Sequence, residues 1–148
     1  MRGQITLLVI IFMVLLFLFI FWFIPKQYRN YNSLIEIESI KWKDNEGKNI
    51  SVVESNQLVK VIITLSINGE YIGYITFKVR KDVRFLPDKD VAFLRQYYIL
   101  RDKEKITITL SFIAEKSLLT RGYFVEIDWK NKRYVMPNSY PPRLRVIP

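Results

Sequence analysis

The stretch QLVKVIITLSINGEYIGYITFKVR, residues 57–80, decides the architecture. In its first half every second residue is apolar: Val59, Val61, Ile63, Leu65 and Ile67. The second half sets Tyr71, Ile75, Phe77 and Val79 on one side. Strict alternation is the period of a strand with one buried face, because successive side chains point to opposite sides. Asn68-Gly69 between the halves tolerates positive φ at both positions, so a β-hairpin is expected there. Gly73 interrupts the second half at a place suited to a bulge.

The same pattern extends outward from this stretch. LIEIESIKWK (34–43) precedes it, followed by the turn DNEGKN and the brief ISVVE (50–54). Downstream, KITITLSFI (105–113) is expected to bury Ile106, Ile108, Leu110 and Phe112. YFVEIDW (123–129) is expected to bury Tyr123, Val125, Ile127 and Trp129, then to turn at Lys130-Asn131-Lys132 into RYVM (133–136). PDKDVAFLRQYYIL (87–100) fits either a strand or a short helix capped by Asp88; the favoured reading is a helical turn followed by a strand.

In the tail, MPNSYPPRLRVIP, Pro141-Pro142 favours an extended polyproline conformation. Arg143 and Arg145 then alternate with Leu144 and Val146, as a last edge strand would. The competing reading is a basic docking tail, which makes Arg143 and Arg145 candidate partner-binding residues.

Seven or eight strands linked by turns, with no helical crossovers, describe a mainly β domain and an antiparallel β-sandwich. A small barrel is the alternative closure. Over residues 34–147 the succession resembles the immunoglobulin-like domains of archaeal and bacterial surfaces, without the cysteines and core tryptophan of antibody domains. In such a sheet the strands 70–80 and 123–129 are neighbours. Lys78 and Arg80 then face Glu126 and Asp128 on the outward side, beside Tyr74, Thr76 and Phe124; this stripe is expected to be structural.

Ahead of the domain, residues 5–24 read ITLLVIIFMVLLFLFIFWFI, twenty residues without a charge. At about 1.5 Å per residue they make a helix about 30 Å long, the thickness of a bilayer's hydrocarbon core. No small-x-small cleavage site ends the run, and no Gly or Ala offers a dimerisation face, so a lipid-facing signal anchor is expected. Pro25 ends the helix. Trp22, Lys26, Tyr28, Arg29 and Tyr31 then form the aromatic and basic belt of a membrane interface. The expected organisation is a short tail (1–4), a transmembrane helix (5–24), a linker (25–33) and a sandwich domain (34–148).

Arg2-Gly3-Gln4-Ile5-Thr6 before an apolar run resembles the start of archaeal type IV pilin-like precursors, which carry a basic residue, a glycine and often Gln-x-Ser. The resemblance implies cleavage after Gly3 and a domain outside the cytoplasm. Leu8 departs from it, standing where such pilins often have Glu, as does the stop at Pro25. Flanking positive charge points the other way, since Lys26, Arg29, Lys41 and Lys43 outnumber Arg2. The outward orientation is the one expected.

The chain of 148 residues has room for one soluble domain beside the span. It holds neither Cys nor His, which removes disulfides, thiolate nucleophiles, Cys-based zinc sites and the commonest general base. No phosphate loop, His-Glu metal motif or nucleophile elbow is present. Asp82, Asp88 and Asp90 match no calcium loop and read as a solvated turn. Asn49-Ile50-Ser51 is a sequon of the kind that arises by chance. No enzyme, cofactor or metal is expected.

A net charge of +9 suits an anionic surface or plain solubility. Tyr and Phe fall mostly inward, which argues against a nucleic-acid platform. The expected partners are the lipid bilayer and another envelope protein or filament, with a resemblance to the anchored sandwiches beside archaeal swimming filaments. The alternatives are a cytoplasm-facing basic adaptor that recruits an anionic partner, and a pilin-like subunit processed after Gly3.

Overall fold

The computed structural model describes residues 12–14, which are helical, and residues 34–148. Among the described residues no helix is long and apolar enough to cross a membrane. The expected span, its interface residues and the Gly3 site lie outside the described residues, apart from 12–14. Residues 34–148 form one compact unit.

That unit is a β-sandwich of nine strands, more than the seven or eight expected. They are β1 (Ile35–Lys43), β2 (Val52–Glu54), β3 (Leu58–Ile67), β4 (Tyr71–Val83), β5 (Lys89–Leu100), β6 (Lys105–Ile113), β7 (Thr120–Trp129), β8 (Lys132–Val135) and β9 (Leu144–Ile147). One sheet is β1-β3-β6; the other is β2-β9-β7-β4-β5, with β8 also on β7. The core between them follows from the alternation. Val59, Val61, Ile63, Leu65 and Ile67 of β3 are fully buried, as are Tyr71, Ile75, Phe77 and Val79 of β4. Tyr123, Val125, Ile127 and Trp129 of β7 complete it. Ile106 and Ile108 of β6 are only half-buried, because β6 is an edge of the narrower sheet.

Parity explains a break in β1. Its apolar residues fall at Ile35 and Ile37, then at Ile40 and Trp42, so the period slips by one. The register with β3 shifts between Ile37 and Ser39, where Glu38 is the extra residue that returns Ile40 and Trp42 to the core side.

Several expectations are corrected. Asn68-Gly69 joins no hairpin: β3 pairs with β1 and β6, whereas β4 pairs with β5 and β7. The chain crosses between sheets there, with Gly69 at φ +102° and its amide donating to Asp102 Oδ1 over 2.7 Å. Gly73 causes no register shift; the Tyr71 ring lies over it and its hydroxyl donates to the Tyr74 carbonyl. The bulge instead falls on β5, where Val91 is extra opposite Val79 and Arg80.

Residues 89–100 are strand throughout, so the helical turn expected after Asp88 is absent. Pairing to β4 over eleven positions outweighs the weak local helix signal. The tail forms turns over Tyr140–Pro142, closed by Arg143 N donating to the Ser139 carbonyl, in place of a polyproline segment. It then becomes β9, which lies between β2 and β7 and is not an edge. β2 and β9 run parallel, the exception in a sandwich whose other pairings are antiparallel.

Candidate functional site

The expected β4–β7 neighbourhood is present, with Lys78 opposite Glu126 and Thr76 opposite Asp128. Lys78 Nζ lies 3.4 Å from Glu126 and 3.2 Å from Asp128, and Arg80 Nη1 is 3.3 Å from Glu126. Arg133 of β8 adds a 2.6 Å bond to Asp128. Burial works against the Asp128 carboxylate, but hydrogen bonds from Arg133 and Lys78 and their charges outweigh it and lower its pKa. Glu126 and Phe124, expected on an open outward face, are buried. The segment from β8 through the tail turns covers them, and no alternation within 123–129 reveals a cover supplied by residues outside that stretch.

Arg143 and Arg145 have different fates. Arg143 is 8% exposed, and its guanidinium lies 4.1 Å above the Phe124 ring. It donates to Asp82 Oδ2 at 3.1 Å and to the carbonyls of Pro137 and Met136 at 3.0 and 3.1 Å. Tyr140 donates to the same Asp82 oxygen over 2.6 Å. Burial and the Asp82 carboxylate push the Tyr140 phenol up to about 12. The donors of Arg143 are thus engaged within the fold, while Arg145 is exposed. Trp22, Lys26, Tyr28, Arg29 and Tyr31 fall outside the described residues.

The three aspartates considered for a cation turn to separate partners. Asp82 takes Arg143 and Tyr140, Asp88 accepts from the Val83 amide, and Asp90 pairs with Arg80 at 2.9 Å. Among the described residues no group of three or more acidic side chains is arranged to hold a metal.

Two features were not legible beforehand. The first is a basic cleft of about 380 Å³ where β9 ends beside the β4–β5 and β6–β7 loops. Arg84, Lys116, Arg121 and Arg145 line it with Leu118 and Tyr140. The loops are tied by Arg84 N donating to the Leu119 carbonyl, and Lys116 Nζ reaches the Thr120 and Val146 carbonyls. Among the described residues none of the four cations is in an ion pair with a carboxylate. Such an arrangement attracts an anion. Its members are 61 positions apart in the chain, so no local run announces it.

The second is the outer face of β4 and β5. Cross-strand pairs there are Ile72–Ile99, Tyr74–Tyr97, Thr76–Arg95 and Lys78–Phe93. The Tyr74 and Tyr97 rings meet edge-on at 5.1 Å, and the Arg95 guanidinium lies 4.6 Å over Tyr74. Ile72, Tyr74, Phe93, Tyr97 and Ile99 are each at least half exposed, and Ile99 reaches 70%. A contiguous apolar and aromatic surface of this kind marks a contact site more often than a scatter of single residues does. The helical-turn reading of 87–100 hid it, because the outward row appears only once those residues are read as a strand.

No family model matches the chain, and no curated protein matches it. Among solved structures it is similar to the C-terminal domain of wzt, at 7% identity and a TM-score of 0.47, covering 79% of this chain and 75% of that one. It is also similar to a β-glucosidase from Listeria innocua in complex with gluconolactone, at 12% identity and a TM-score of 0.45. That match covers 76% of this chain and 15% of the glucosidase. At these values neither resemblance says what this chain binds or does.

Proposed function

We propose that this chain is a non-enzymatic, single-span module of the cell envelope, anchored by residues 5–24 and working through protein–protein contact outside the cytoplasm. Its immunoglobulin-like sandwich presents the outer face of β4 and β5 to a neighbouring subunit, a surface-layer protein or a filament. The observation that carries this reading is that face, where five large apolar or aromatic side chains stand exposed and Arg95 lies over the Tyr74 ring. The uncharged run and its aromatic-basic belt support the anchor.

A photo-crosslinking side chain at Tyr97 in intact cells tests the reading, with the same group at Thr109 on the other sheet as control. Protein adducts are expected at 97 and not at 109, and surface protease is expected to remove the domain. Equal labelling at both positions, or a domain protected while known surface proteins are digested, sinks it. A mature chain beginning at Gln4 by mass spectrometry favours the pilin-like alternative instead.

The basic cleft favours a second reading, a cytoplasm-facing adaptor that recruits an anionic partner. Under it, an Arg121→Glu/Arg145→Glu chain elutes from heparin at lower salt than a Lys130→Glu/Lys132→Glu chain of equal net charge. Matching elution removes this reading.

A further inference from the structure

We infer that β5 is a contact between two copies of this chain. Ala92–Leu100 pairs antiparallel with the same residues of a second copy, about a two-fold axis at Gln96, and joins two six-stranded sheets into one. The inference goes beyond the proposed envelope role: it concerns the edge of β5, and a copy paired there extends the β4–β5 face without covering it.

β5 is twelve residues long and, among the described residues, only β4 pairs with it. Natural sheets blunt such edges with charge, proline, bulges or brevity. Beyond the Val91 bulge β5 has one charge, Arg95, and otherwise reads AFL-QYYIL. Its inner face is also incompletely covered, because it overhangs the three-stranded sheet: Leu94 and Tyr98 are half-buried and Gln96 is exposed. One strand thus leaves an edge and parts of both faces open.

The sequence of that edge is complementary to itself in one register. Directly opposed residues of an antiparallel pair lie on the same side of the sheet, so outward residues must meet outward residues. With the axis at Gln96, Phe93 meets the partner's Ile99 and Arg95 meets the partner's Tyr97. On the inner side Leu94 meets the partner's Tyr98 and Ala92 meets the partner's Leu100. All nine positions pair, no like charges oppose, and each guanidinium gains a second aromatic ring beside Tyr74.

Neighbouring registers are worse. An axis at Arg95 sets two guanidinium groups against each other. An axis at Tyr97 sets Arg95 against Ile99, and an axis at Leu94 runs the pairing into the Val91 bulge. Self-complementarity is what a two-fold contact requires, since one patch must fit itself.

The chain has no cysteine, so a single introduced thiol reports its own neighbour. In the full chain, in membranes or detergent, Gln96→Cys is expected to give a disulfide-linked dimer on mild oxidation, since directly opposed residues lie within disulfide reach and diagonal ones do not. Arg95→Cys and Tyr97→Cys are expected to do so only when the two chains are mixed. Thr109→Cys, on the exposed edge strand β6, is expected to stay monomeric. Gln96→Lys sets two ammonium groups face to face and is expected to turn a dimeric mass into a monomeric one that keeps its folded β-sheet circular dichroism.

If Gln96→Cys cross-links no better than Thr109→Cys, or Arg95→Cys alone cross-links as well as Gln96→Cys, the inference is overturned. Persisting adducts from position 97 to a different protein would then leave the face an interface and remove only the second copy. Loss of those adducts as well removes both proposals.

Discussion

Tyr140, Asp82 and Arg143 show what a single residue contributes when its partners are distant in sequence. Asp82 closes β4, and the other two come from the tail about sixty positions later. Alternation correctly made 144–147 a strand but assigned Arg143 and Arg145 one role, because it cannot see Asp82. Burial and the Asp82 carboxylate push the Tyr140 phenol up from 10.0 to about 12, so its neutral form stabilises the fold below pH 10 and that contribution is lost as pH rises towards 12. Tyr140→Phe is expected to flatten the stability profile between pH 10 and 12 and to cost about 1–2 kcal/mol at neutral pH in urea unfolding. Glu126 is the other buried charge with cationic neighbours. Glu126→Lys places a fourth cationic group beside Lys78, Arg80 and Arg133, and is expected to cost about 3 kcal/mol or more in the same assay. Unchanged stability would remove the structural role assigned to this stripe.

At the scale of elements, β9 is held by a close approach. Gly122 of β7 pairs with Arg145, and a Cβ on Gly122 would collide with the Leu144 carbonyl oxygen and press on the Tyr140 ring. Gly122→Ala is expected to displace β9 and cost about 2–3 kcal/mol by thermal unfolding, an overpacking penalty with backbone on one side of the clash. Amide exchange rising in 144–147 and in 52–54, the parallel partner of β9, would locate the damage. The burial of 59–79 and of 123–129 was legible because alternation reports which side of a strand is inward. Sheet membership was not. Asn68-Gly69 supplies a tight turn whether the chain doubles back in one sheet or crosses to the other, and only the partners of β3 and β4 decide. The β5 strand was obscured for a related reason: a few residues with mixed propensity yield to pairing along a whole neighbour.

In the molecule as a whole, every buried core residue among those described belongs to the unit 34–148. Residues 34–148 expressed alone are therefore expected to unfold in one cooperative transition, with calorimetric and van't Hoff enthalpies agreeing. A broad transition, with the two enthalpies unequal, would show that the unit does not unfold as one. The sandwich also has two distinct ends. Leu34, where the chain enters, lies beside Gly69 and hydrogen-bonds Asn68, whereas the opposite end holds Arg84 just past β4, Arg121 at the start of β7 and Arg145 in β9. β4 spans the distance between them with 13 residues, about 43 Å at the usual rise. A pull between the entry point and the cationic end would therefore run along the strands. In that geometry β1 slides against β3 in shear, and its ladder must yield together instead of opening one bond at a time like a zipper. The same antiparallel register that hides Ile35 and Trp42 from water would then make the domain a stiff tether under tension.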